Sequence, residues 1–272
     1  KTKMPLVDTH CHIQSIGRKV GERHTRELWA KAESNADEVI DRAISEDVNK
    51  FICVGCDLQD SQLAVEFVQK RENCWASIGI HPHEAKEYAG ESQKIVEFEK
   101  LADKPKVIAI GECGLDYFYE HSPKKDQFEI FEKQLDIARR HNLPLIFHVR
   151  NAFEDFWPIY DNFGNLPGVL HSFTDSSKNL ENALNRGLKI GVNGIATFAK
   201  DENLLSVYKA VPLQNLLLET DAPYLTPSPY RGSINEPMRI SVIADFLANL
   251  RGEERELLAS QTTYNAKTLF KI

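Results

Sequence analysis

Short, nearly unbroken apolar runs recur eight times along the chain, and amphipathic stretches fill the intervals between them. The runs read as strands over 6–8, 50–55, 75–80, 106–111, 144–149, 168–172, 188–193 and 215–220. Phe51-Ile52-Cys53-Val54, Val107-Ile108-Ala109-Ile110 and Leu216-Leu217-Leu218 carry no polar alternation, the pattern of a parallel strand covered on both faces. Helical periodicity falls over 35–46, 59–70, 92–102, 125–141, 176–186, 202–210 and 238–250. It is clearest over 125–141, where Phe128, Phe131, Leu135 and Ala138 share a face. Eight strands each followed by a helix or helical turn predict one domain over 1–272, a (β/α)8 TIM-like barrel of parallel strands with its active site at the C-terminal face. A doubly wound open sheet would favour a glycine-rich phosphate turn after the first strand, and His10-Cys11-His12 stands there instead.

The chain has 272 residues, with 33 Lys and Arg against 40 Asp and Glu, a net charge of −7. That balance excludes a broad basic face of the kind needed to coat long nucleic acids, because cations make the phosphate contacts. Five cysteines are an odd, scattered set, a poor disulfide framework and a normal complement of reduced thiols. Cys53 and Cys56 form a C-x-x-C with no second pair behind it, so a buried strand end is the expected reading. With no apolar run of membrane-spanning length and no export signal, a cytoplasmic protein without a membrane partner is expected. Lys1-Thr2-Lys3 before Met4 reads as either a cloning remnant or a short natural extension.

Chemistry concentrates at the ends of the expected strands. On an extended chain His10 and His12 project the same way, as two ligands of one cation would. Glu112, His148, His171 and Asp221 stand at or just past the ends of the fourth, fifth, sixth and eighth strands. If the barrel closes, all six meet at one mouth.

These residues sit in recognisable surroundings: VDTHCHI (7–13), CWASIGIHPHEAK (74–86), VIAIGECGLDYFY (107–119), PLIFHVR (144–150), GVLHSFT (168–174), LLLETDAPYLTP (216–227), RGSINEP (231–237) and QTTYNAKTLF (261–270). Over nearly its whole length the chain resembles the TatD family of metal-dependent deoxyribonucleases, within the amidohydrolase superfamily. The resemblance implies a dinuclear hydrolase in which His10, His12 and Asp221 hold one divalent cation and His148 and His171 the other. Glu112 matches the bridging carboxylate and supplies its oxygens directly, without the carboxylated lysine of many amidohydrolases. The implied activity is phosphodiester cleavage of DNA from a 3′ end, with no obligate protein partner evident.

Two cations ~3.5–4 Å apart polarise a phosphoryl oxygen and lower the pKa of a shared water from about 15.7 toward ~7, so that hydroxide can attack phosphorus in line. Asp221 can accept that water's proton and return it to the leaving oxygen, which with Glu112 makes the catalytic pair. Four imidazoles and two carboxylates suit Zn²⁺ or Mn²⁺, whereas the family's activity is usually associated with Mg²⁺; the choice among Zn, Mn and Mg stays open. His81, Arg150 and Arg231 are the candidate substrate contacts, the arginines as planar forks for phosphate oxygens. Tyr117, Phe118, Tyr119 and Tyr230 are candidate base-stacking rings. His83 reads as peripheral, and His24, His121 and His141 as surface residues. The segment 14–34, with Arg18, Lys19, Arg23, His24, Arg26 and Lys31, reads as a charged lid or solvated loop. Two alternatives stay open: the same metal site hydrolysing an ester or amide such as aminoacyl-tRNA, or a non-catalytic nucleic-acid adaptor.

Overall fold

A computed structural model describes residues 3–272; Lys1 and Thr2, at the head of the extension before Met4, lie outside the described residues. Its strands are β1 (Leu6–Cys11), β2 (Val48–Val54), β3 (Cys74–Ile78), β4 (Val107–Asp116), β5 (Leu145–Arg150), β6 (Gly168–Leu170), β7 (Lys189–Val192) and β8 (Leu216–Leu218). They form one parallel sheet in sequence order, with helices between them, which is the expected (β/α)8 class. Two boundaries move in ways that matter for chemistry. β1 continues to Cys11 and takes His10 into the strand, and β4 continues to Asp116. The chain packs as two compact units, one of the residues up to Cys53 together with Ser172–Ile272, the other Val54–His171.

In the first unit, β8 is stitched to β1. The Asp221 amide donates to the His10 carbonyl at 2.8 Å, the His12 amide to that of Ala222 at 2.9 Å, and Thr9 Oγ1 to that of Leu218 at 2.8 Å. The helix Arg255–Phe270 lies over both strands, and Asn265 Nδ2 donates to the Leu216 carbonyl at 2.9 Å. Segment 14–34 corrects the expectation of a lid or solvated loop. It contains the helix Arg23–Ala32, opened by a hydrogen bond from the Thr25 amide to the Glu22 side chain at 2.6 Å. Trp29 is buried, and its indole N–H donates to the His12 carbonyl at 2.9 Å. Only Thr25 and Trp29 of this helix are buried, so it shows no apolar stripe for periodicity to find.

In the second unit, β3 to β6 carry the helices Lys124–His141 and Phe153–Asn162. Phe131, Phe147, Phe156 and Tyr160 pack edge-to-face or stacked, at centroid separations of 5.1 Å (Phe147–Phe156) to 6.1 Å (Phe131–Phe147). Each buried ring contributes roughly 1.5–3 kcal/mol by leaving water. The helix Phe153–Asn162 escapes periodicity because aromatic residues crowd it and Pro158 lies inside it. Along β5, Phe147 points into this cluster while the alternate residue His148 faces away.

Candidate metal centre

The residues expected to hold metal form one cluster in each unit. In the first, Asp221 Oδ1 lies 3.0 Å from His12 Nε2 and 3.5 Å from His10 Nε2, and the two imidazoles meet edge to face at 5.2 Å. The stitch between β8 and β1 fixes this spacing. Beneath it, the buried Asp8 carboxylate accepts from the His10 amide at 3.1 Å and the Thr220 amide at 3.0 Å, and also from the Thr220 hydroxyl. Burial raises Asp8, hydrogen bonds from Thr220 and His10 oppose it, and the balance stands at about 7. The loop after Asp221 is tied back in turn, Asn235 Nδ2 donating to the Thr220 and Tyr224 carbonyls at 3.0 and 2.7 Å.

In the second unit three imidazoles surround one oxygen. Glu112 Oε1 lies 3.1 Å from His148 Nδ1, 3.4 Å from His171 Nε2 and 3.7 Å from His81 Nε2. One donor atom each from His81, Glu112 and His148 falls within 4.8 Å of the others. His81, expected as a substrate contact, therefore stands among the metal-type donors of this unit. Its Nδ1 accepts from the His83 amide at 3.1 Å, which leaves Nε2 for Glu112. Burial, then the neighbouring His148, holds His81 well below the usual histidine range.

Close backbone approach explains the glycines around Glu112. A Cβ on Gly114 would lie 1.9 Å from the His148 carbonyl oxygen, and one on Gly79 would lie 2.2 Å from the Gly111 carbonyl carbon. Only glycine lets β4 run this near β5 and the end of β3.

The sequence reading missed Asp116. Its Oδ2 accepts from His148 Nε2 at 2.8 Å and faces His83 Nε2 at 3.1 Å, while its Oδ1 accepts from the amides of Phe118 and Tyr119 at 3.0 and 3.2 Å. His83 is thus bonded to the histidine–carboxylate network, not peripheral. Burial alone would raise the Asp116 carboxyl, but hydrogen bonds from His148 and His83 overcome it and hold it well below the usual range. His148 is opposed by burial and raised on balance by Asp116 and Glu112. The signal in the sequence was the even spacing Glu112-x-Gly114-x-Asp116, which puts both carboxylates on one side of β4. The expected phosphate grips divide. Arg150 is exposed with its guanidinium 3.9 Å over Phe118, whereas Arg231 donates to the Thr226 carbonyl at 2.9 Å and lies 4.0 Å over Phe198.

The donor sets fit divalent cations. Ligand atoms about 2.0–2.2 Å from one ion at a tetrahedral angle stand ~3.3–3.6 Å apart; the separations of 3.5 and 3.4 Å fall in that span and those of 3.0 and 3.1 Å lie just below it. Imidazole with carboxylate suits borderline first-row metals. With Nδ1 toward Glu112, His148 keeps Nε2–H for Asp116, the arrangement that fixes a metal-binding imidazole.

A family model described as TatD related DNase matches residues 7–271. The 3'-5' ssDNA/RNA exonuclease TatD of Salmonella typhimurium is 34% identical over 261 residues, covering 93% of this chain and 98% of that one. The uncharacterized metal-dependent hydrolase YabD of Bacillus subtilis is 36% identical over 269 residues, 98% of this chain and 99% of that one. The crystal structure of YJJV, a TatD homolog from Escherichia coli K12, superposes with a TM-score of 0.85 at 25% identity, covering 98% of both chains.

Proposed function

The chain belongs to the TatD family of metal-dependent hydrolases, and from that premise we propose that it is a dinuclear phosphodiesterase that shortens DNA from a 3′ end. The observation that carries the reading is the pair of donor clusters, each with imidazoles about a single carboxylate oxygen. In a (β/α)8 domain the ends of the strands open on one face, so we read 1–272 as one catalytic domain whose two clusters serve one reaction. The 3'-5' exonuclease name of the Salmonella relative supports the choice of bond and end. No helix among the described residues is long and apolar enough to cross a membrane. The five cysteines form no disulfide, which supports a cytoplasmic setting.

His10, His12 and Asp221 would hold one cation, and Glu112, His148 and His171 the other. Bound divalent ions lower the pKa of a coordinated water toward neutrality and polarise a phosphoryl oxygen. The protein supplies the rest. Asp221, fixed by the β8–β1 stitch, takes a proton from the attacking water and hands it to the leaving 3′ oxygen. Asp116 holds His148 in one tautomer and one orientation. Arg150 offers two parallel N–H groups to the non-bridging oxygens of the scissile phosphate. His81 hydrogen-bonds the same phosphate or its water.

The test uses a 5′-labelled single-stranded oligonucleotide with Zn²⁺, Mn²⁺ or Mg²⁺. The protein yields a ladder shortened from the 3′ end, and Glu112→Gln and Asp221→Asn lose at least ~1,000-fold in rate while binding fewer ions by elemental analysis. Undiminished cleavage by either variant overturns the site. Turnover of aminoacyl-tRNA alone in a parallel assay overturns the choice of bond.

A further inference from the structure

The turn that leaves β4 carries two large rings to the surface. Phe118 and Tyr119 are 53% and 51% exposed and meet edge to face at 4.7 Å. Leaving two neighbouring aromatics in water is unfavourable unless something covers them. The turn is held in place, since the amides of both residues donate to Asp116 Oδ1, and Asp116 Oδ2 accepts from His148. One carboxylate therefore fixes the rings and a metal-type histidine together.

The chemistry around the rings is cationic. The Arg150 guanidinium lies 3.9 Å from the Phe118 ring centroid and 5.1 Å from that of Tyr119, and among the described residues it has no carboxylate partner. Arg150 follows His148 by two residues on β5, so it emerges on the same side of that strand. Tyr119 stacks at 5.5 Å and 6° on His121, which meets His83 at 4.6 Å. Tyr117 is excluded from this surface. It is half-buried and its hydroxyl donates to Asp155 at 2.6 Å. Tyr230, the other candidate ring, belongs to the other compact unit.

We propose that Phe118 and Tyr119 form a stacking platform for the unpaired bases next to the scissile phosphate of single-stranded DNA, with Arg150 clamping that phosphate. The proposal rests on the nuclease reading above and names the residues that would hold the bases of the substrate strand. A planar face and an anion within one residue's reach are the two chemistries that a nucleotide presents and that this surface complements. In a duplex the base faces are covered by their neighbours, whereas an unpaired 3′ end leaves them open to the two rings.

The experiment compares the wild type with the double variant Phe118→Ala and Tyr119→Ala, both exposed positions. Cleavage is followed on a single-stranded oligonucleotide and on one with three abasic 3′-terminal nucleotides. Binding is followed by fluorescence anisotropy with a phosphorothioate oligonucleotide. The double variant raises KM and the anisotropy Kd about tenfold or more, with the larger change in KM than in kcat. Abasic termini cost the wild type a similar factor and cost the double variant little more. A Kd within twofold of wild type, or an abasic penalty that persists in full in the variant, overturns the platform. A wild type that shortens no oligonucleotide overturns the nuclease reading instead, and anisotropy then decides the platform by itself.

Discussion

Asp116 binds four donors through two oxygens, which makes it the most informative single position to change. In Asp116→Asn the side-chain nitrogen cannot accept from His148 Nε2, and the imidazole loses the bond that orients it. We expect the ion at His148 and Glu112 to bind ~10–100-fold more weakly, read by competition with a chromogenic chelator. Affinity equal to wild type would mean that Asp116 does not position the ligand. Gly114→Ala is a steric counterpart, because a Cβ 1.9 Å from the His148 carbonyl must push β5 away. Destabilisation of about 1–3 kcal/mol in urea unfolding is expected, and an unchanged midpoint would refute the close approach. At this scale the metal-type donors that the structure clusters were legible, because histidines and acids at strand ends announce themselves by residue type. Asp116 was marked only by its even spacing from Glu112 and His83 by nothing, because the side chains they bond come from other strands and turns.

The helix Lys124–His141 shows what a whole element contributes. Two of its buried residues are glutamines, Gln127 and Gln134, seven apart on one face. Gln127 accepts from the Asp116 amide at 2.8 Å and donates to its carbonyl at 3.1 Å. Gln134 does the same for Ile80, at 2.8 and 3.0 Å. Each side chain thus stands in for a missing sheet partner where a strand gives way to a functional loop, one before the aromatic turn and one before His81. Gln134→Leu keeps the volume and leaves both Ile80 groups buried without partners, so a loss of ~2–4 kcal/mol is expected by thermal or urea unfolding. A loss under about 0.5 kcal/mol would show that water replaces the amide. The 3.6-residue stripe predicted the helix itself, with ends within a residue of those observed. It gave the wrong weight to Phe128, which is half-buried, and none to the glutamines, since polarity alone marks them as surface. The helix Arg23–Ala32 failed the same test in reverse, its single Trp29 anchor leaving no stripe to read.

For the whole molecule, the net charge of −7 limits how many phosphates it engages. With two or three contacts to a single strand, log K should fall against log salt with a slope near −2, and no steeper than about −4. Titration between 50 mM and 300 mM salt checks this, and a slope of about −6 would require a basic tract that the composition does not suggest. Bound ions should also support the fold. At an ion concentration about 1,000 times Kd they contribute ~4 kcal/mol, a rise of roughly 8–16 °C in unfolding temperature over chelated protein; identical midpoints would argue against built-in metal sites. The strand–helix alternation was readable along the whole chain because buried parallel strands are continuous in apolar residues. How the strand ends are tied was not, because those bonds join residues about two hundred apart, as His12 and Asp221 are. That separation has a consequence for biosynthesis. On a growing chain His10 and His12 are made about two hundred residues before their carboxylate companion Asp221. A chain interrupted between them carries both imidazoles without the oxygen that brackets them, so this cluster assembles only after both strands have been made.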